Sequence, residues 1–177
     1  HSLDRRQRQM CIRDRLSVGR LIERKGFHLL IKSVLRLREK IDNLTLTIVG
    51  QGPLEKSLAK IINENNASSF ILLRTEIDDK NLKLIYETSE LFVLANHELR
   101  NGDTEGCPSV FSEAMFYELP SIGGKYAGVE TAIINNENGL VVNMKKDSDL
   151  DEAIVKILEN EAIKDNFIAV SYTHLTL

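Results

Sequence analysis

Two glutamates, Glu105 and Glu113, flank the segment EGCPSVFSE, one before a Gly-Cys-Pro turn and one inside the apolar run that follows. A carboxylate accepts two hydroxyl hydrogen bonds, which suits the diols of a sugar or a ribose. Pro108 fits the first turn of a helix, so Glu113 falls about one and a half turns in and Glu105 lies outside, in the loop. The start of such a helix offers free amides to an anion. Proline has no N–H, which leaves Ser109 and Val110 as the candidate donors. The same residues also fit a charged loop followed by a solvated helix glutamate.

A second constellation is GRLIERKG, with Arg20 after an apolar run and Lys25 at the start of the next amphipathic stretch. Two cations beside a helix N-terminus make a site for a diphosphate; as isolated residues they also fit a solvated surface. VGQGP carries Gly50 and Gly52, but the third glycine position of a dinucleotide fingerprint is Glu55, which repels a pyrophosphate. A nicotinamide or flavin site is therefore not expected. The two glycines read as a tight turn or as the close approach of a ligand to the backbone. Asp147 and Asp149 stand at a helix start, where capping explains them better than a metal, and Asp78 and Asp79 read the same way. His28 is expected on a helix surface. His97 falls near the ligand edge, where it reads as substrate contact or as a solvated loop residue. Cys107 has no evident base partner and is not assigned as a nucleophile. No metal ligand set is seen.

The elements that must position these residues alternate strictly. Strands are expected at LSVGR, LTLTIVG, FILLR, LFVLA, LPSIGG and GLVV. Helices are expected at KGFHLLIKSVLRLREKI, PLEKSLAKIINENN, DKNLKLIYETS, PSVFSEAMFYE, GVETAIINN and DSDLDEAIVKILENEAI. This order predicts an α/β, doubly wound, Rossmann-like fold: a parallel six-stranded sheet with helices on both faces. Ligands of such sheets sit beyond the carboxyl ends of the strands. Gly19, Arg20, Lys25, Gly50, Glu105 and Glu113 all collect on that edge.

Apolar residues at 42% and charged residues at 28% of 177 fit a single soluble globular domain. No apolar run reaches the length of a membrane span. Two cysteines without ligand spacing predict a reducing, cytoplasmic setting. Residues 1–15 carry a charge of +3, which leaves −6 on the remainder. A body of that sign is a poor binder of nucleic acid. The ends RRQRQMCIRDR and VSYTHLTL break the pattern and resemble translated sequencing-adapter read-through. Residues 1–15 and 170–177 are accordingly expected to be tails around one folded domain at 16–169, part of a longer protein.

VGRLIERKG, LTIVGQGP, IYETSELFVLAN, EGCPSVFSEAM, LPSIGG and NENGLVV occur in one order. Together they resemble the C-terminal, donor-binding domain of retaining GT-B glycosyltransferases of family 4, the glycosyl transferases group 1. The resemblance implies that Arg20 and Lys25 hold the donor diphosphate, that Glu105 contacts the transferred sugar and that Glu113 binds the ribose hydroxyls. It places Cys107, Pro108, Ser109 and Val110 in the loop whose amides face sugar and phosphate, and the backbone of Ile77 at the base. It implies a metal-independent reaction without cofactor, whose donor is a nucleotide-diphosphate sugar. The acceptor, a glycan or lipid-linked glycan, would be held by an N-terminal domain. The full-length protein would work in the cytoplasm, at the inner face of the membrane. The fragment alone would bind donor without turnover. Thr75 stands where the family usually has glycine, Ala127-Gly128 replaces a Gly-Gly, Glu130 precedes the family's glutamate position, and the loop NHELRNGDTEG is longer than usual. Two other readings are a noncatalytic nucleotide or nucleotide-sugar module and a phosphoacceptor receiver. The retained Arg20, Lys25, Glu105 and Glu113 argue against the first. Gly19-Arg20, where a receiver needs an acidic cluster, argues against the second.

Overall fold

The computed structural model describes residues 13–102, 109–125 and 128–175. Six strands form one parallel sheet: β1 (Arg13–Val18), β2 (Leu44–Val49), β3 (Ile71–Arg74), β4 (Leu91–Leu94), β5 (Ser121–Gly124) and β6 (Gly139–Val142). Their order is β3-β2-β1-β4-β5-β6. The α/β doubly wound sheet expected from the alternation is therefore present, with its switch point between β1 and β4. The inner strand β4 is apolar throughout. Every residue of β4 and of β5 is buried, as required of a strand covered on both faces.

The helices are α1 (Phe27–Arg38), α2 (Glu55–Glu64), α3 (Asp79–Thr88), α4 (Val110–Phe116), α5 (Asp147–Leu158) and α6 (Glu161–Leu175). Phe27, Leu30, Ile31, Val34 and Leu37 form the buried stripe of α1. α1 packs on α5, and α6 on both α4 and α5.

Several details differ from the sequence reading. β1 begins at Arg13, so the boundary expected at Leu16 falls inside the strand. Arg13 to Val18 pair residue for residue with Leu44 to Val49. Arg15 is fully buried, and its guanidinium donates to the carbonyl of Thr45 at 3.3 Å. The other boundary, at Ala169, falls inside α6. GVETAIINN does not form an α-helix. It makes a single 3-10 turn, Val129–Thr131, because asparagine side chains take over the backbone bonds that a helix would use. Asn138 accepts from Ile134 N–H at 2.7 Å and donates to Ala132 at 3.0 Å, and Asn135 accepts from Val141 N–H at 2.9 Å. The long last helix is two helices, since Asn160 accepts from Ile163 N–H at 3.1 Å and caps a new start there. Pro53 precedes α2 rather than opening it.

Asp78 caps α3 as expected, accepting from Asn81 N–H at 2.7 Å. Asp147 and Asp149 do not cap. Lys146 is the residue before α5, and no side chain closes that end. Asp147 instead faces Arg36 at 3.6 Å. The stronger link between α1 and α5 is Asp151. It takes two bonds from Arg36, at 2.7 and 2.9 Å, and one from the buried Ser33 hydroxyl at 2.5 Å. These bonds hold the Arg36 guanidinium above its usual range, with the bond to Asp151 as the main cause. Asp151→Ala strands the Ser33 hydroxyl and is expected to cost about 1–3 kcal/mol. Urea denaturation at fixed pH measures this, and an unchanged midpoint would contradict the fastening role.

Candidate functional site

The segment after β1 runs along the carboxyl edge of the sheet and is stitched to its neighbours by backbone bonds. Gly19 N–H donates to Val49 at 3.0 Å, Leu21 N–H to Gln51 at 2.9 Å, and Leu54 N–H to Leu21 at 3.1 Å. A Cβ on Gly50 would stand 1.8 Å from the carbonyl oxygen of Gly19. Gly50 is therefore required by the approach of one protein loop to another.

The same segment then turns into a 3-10 turn, Glu23–Lys25, and reaches α1 through Gly26. Gly26 has φ +67°, and a Cβ there would lie 1.8 Å from the carbonyl oxygen of Ala95, just past β4. His97 N–H donates to the Arg24 carbonyl at 3.0 Å. The two chain segments that flank the switch point are thus in direct backbone contact. Asn96, fully buried, adds β5 to this junction: its side-chain oxygen accepts from Gly124 N–H at 3.0 Å.

Lys25, expected to be a cation at the helix start, precedes the helix and is only 6% exposed. Its stem runs beside Gly19, where a Cβ would sit 3.7 Å from Lys25 Cε. Arg20 is exposed. Gly19, Gly50 and Lys25 are brought together. Ile77, in the loop after β3, is half-buried and packs against the core. Ser109 stands at the N-cap of α4 with no side-chain cap, and its carbonyl accepts from Glu113 N–H at 3.1 Å. Val110 opens the helix and is half-buried. Glu105, Cys107 and Pro108 lie outside the described residues.

Glu113 falls in the first turn of α4 and is exposed. It lines a groove of ≈ 470 Å³ between α3 and α4, with Tyr86, Phe116 and Tyr117 among its walls. Among the described residues, the groove is walled by these two helices and by Tyr117 just past α4, and Arg20 and Lys25 do not line it. The Tyr86 hydroxyl donates to Glu113 Oε2 at 3.2 Å. Burial, and then the negative charge of Glu113, push the Tyr86 phenol well above its ordinary value. It therefore stays protonated, and a donor, at any ordinary pH.

Sequence reasoning missed Tyr86, Asn96 and Gly26 and misplaced His28. His28 is half-buried rather than on the surface, and its ring meets His97 edge-on at 5.7 Å. Burial first, and then the His97 and Lys32 charges, lower its pKa below 6.5, against a smaller opposite pull from Glu23.

Residues 13–174 match the model of the family described as glycosyl transferases group 1. The chain belongs to this family. Among curated relatives, it is 26% identical over 147 residues to the amylovoran biosynthesis glycosyltransferase AmsK of Erwinia amylovora, covering 83% of this chain and 36% of that protein. It is 26% identical over 142 residues to a GDP-mannose-dependent alpha-(1-6)-phosphatidylinositol monomannoside mannosyltransferase of Mycobacterium tuberculosis, covering 80% of this chain and 37% of that protein. The chain thus spans little more than a third of these relatives. Its fold matches the C-terminal domain of a glycosyl transferase group 1 protein (LpcC) from Francisella tularensis, with TM-score 0.79, 17% identity, and 97% and 88% of the two chains covered. This is the Rossmann-like domain of the GT-B fold.

Two outcomes test the edge. Gly26→Ala forces a side chain into the left-handed region and onto Ala95, and is expected to cost at least about 2 kcal/mol in urea denaturation. For His28, the folded pKa lies below the unfolded one, so the unfolded chain takes up a proton first as pH falls. Stability is expected to drop between about pH 7 and pH 5, and His28→Gln is expected to flatten that drop. A wild-type urea midpoint that holds constant across this range would contradict the assignment.

Proposed function

We propose that this chain is the donor-binding half of a retaining glycosyltransferase, which moves a sugar from a nucleotide-diphosphate sugar to an acceptor hydroxyl in glycan or polysaccharide synthesis. The observation that carries this reading is a nearly buried lysine, Lys25, beside Gly19 at the switch point of the sheet, where ligands of such folds sit. Family membership supports the reaction class. The Mycobacterium tuberculosis relative, named as GDP-mannose-dependent, supports a nucleotide-sugar donor.

In this reading Lys25 and Arg20 stabilise the charge that grows on the leaving diphosphate, so no metal is needed. Glu113 accepts hydrogen bonds from the ribose hydroxyls. Glu105 orients the transferred sugar, and the amides of the Cys107–Val110 loop face its phosphate. The backbone near Ile77 meets the base. The acceptor hydroxyl attacks the anomeric carbon on the face that the diphosphate leaves. Its proton passes to a donor phosphate oxygen, and configuration is retained. The acceptor, a glycan or lipid-linked glycan, belongs to a second domain, without which this half binds donor and does not turn it over. The site of work would be the cytoplasmic face of the membrane. Among the described residues, no helix is long and apolar enough to cross a membrane.

Calorimetric titration with UDP, GDP, ADP and their sugars tests the reading. One nucleotide series is expected to bind, weakened about tenfold or more by Lys25→Ala or Glu113→Ala. A folded sample that binds none of them at millimolar concentration would overturn the proposal.

A further inference from the structure

The groove between α3 and α4 contains an arrangement that the donor reading does not use. Tyr86 is 2% exposed, and its ring is packed against two others. It stacks on Tyr117 at 5.0 Å and 17°, and on Phe92, from β4, at 6.3 Å and 19°. Phe92 is itself held edge-on by Phe111 at 5.6 Å. A buried ring stacked on two neighbours is fixed in place, and its hydroxyl oxygen with it, because that oxygen lies in the ring plane. That hydroxyl donates to Glu113 Oε2.

Glu113 has the opposite character. Its side chain is exposed, on the first turn of a seven-residue helix. An exposed glutamate samples many rotamers, and a ligand that needs one of them must bear the cost of ordering it. The bond from Tyr86 selects one rotamer beforehand. It engages one carboxylate oxygen and leaves Oε1, with the other lone pairs of the group, to accept from a ligand. The donor is also permanent, since burial holds the phenol in its neutral form.

We infer that Tyr86 is a positioning residue, which holds the Glu113 carboxylate in the orientation that accepts the ribose hydroxyls of the donor nucleotide. The inference rests on the assignment of Glu113 to the ribose. It adds that ribose recognition is set from beneath by a rigid aromatic stack, through one hydrogen bond across α3 and α4. A merely structural tyrosine would affect folding but not the choice between a ribonucleotide and its deoxy analogue.

The test uses the 177-residue chain and whichever of UDP, GDP or ADP it binds, together with the matching 2′,3′-dideoxynucleotide. Calorimetry is run at a temperature where circular dichroism shows each variant folded. Tyr86→Phe keeps the ring and removes only the donor. It is expected to weaken the ribonucleotide about three- to tenfold and leave the dideoxynucleotide unchanged. Glu113→Ala is expected to remove the preference for ribose altogether. The double variant is expected to bind as Glu113→Ala alone, because the two residues act through one contact. A folded Tyr86→Phe chain with wild-type preference would overturn the inference while leaving Glu113 at the ribose. Loss of affinity for both nucleotides in equal measure would also overturn it, as a structural effect. A Glu113→Ala chain that keeps the preference would overturn the ribose assignment itself, and the inference with it.

Discussion

The contact of bare backbone on bare backbone at the β1–β4 junction governs the geometry of this molecule. Gly26 sits against the carbonyl of Ala95, and His97 N–H closes on Arg24. Such contact is possible only where no Cβ intervenes. It brings the first residues of α1 within reach of the loop after β4, and Lys25, just before Gly26, runs along Gly19 with its stem out of water. A second contact of the same kind, Gly50 on Gly19, fixes the other side of that loop. The carboxyl edge is therefore a rigid rim made largely of main chain. Side chains on it inherit their positions from hydrogen bonds that a change of side chain elsewhere does not disturb.

The sheet was legible in the sequence because its inner strands are covered on both faces. LTLTIV and LFVL read as near-continuous apolar runs, and helical stripes alternate with them. The first half of β1 was not legible. Arg13, Asp14 and Arg15 look like a charged tail, yet Arg15 is wholly buried and bonded to a strand carbonyl. Hydropathy cannot distinguish a paired arginine from a solvated one. GVETAIINN misled for a different reason. Its apolar spacing is helical, but Asn138, just beyond it, bonds the backbone of Ile134 and Ala132 in place of the next turn.

The candidate site divides along the same line. Glu113 could be placed on a helix from Pro108 and the apolar run after it, about one and a half turns in, whereas the helix starts at Val110 and holds Glu113 in its first turn. Its partner could not be found, since Tyr86 lies 27 residues away on another helix and reads as one more core aromatic. Gly50 could be marked as a tight turn or a close approach, but that it meets Gly19 could not be read from the sequence. The sequence pattern identifies residues that tolerate special positions. The tertiary structure decides what occupies them.

Arg20 and Lys25, paired by sequence spacing, are physically unlike. Lys25 is enclosed, so a charge brought near it interacts through protein as well as water and is weakly screened by salt. Arg20 is exposed, and its attraction for the same charge is reduced by solvent and by ions. On the donor-binding reading, the two cations therefore have separable roles. Lys25 acts at contact range, where the bond to the sugar breaks and charge moves onto the diphosphate. Arg20 acts at longer range, drawing a polyanion toward the rim. A fold that needed only affinity could have used two surface arginines. On this reading, burial of one cation at the switch point is what a site needs when charge develops during the reaction rather than before it.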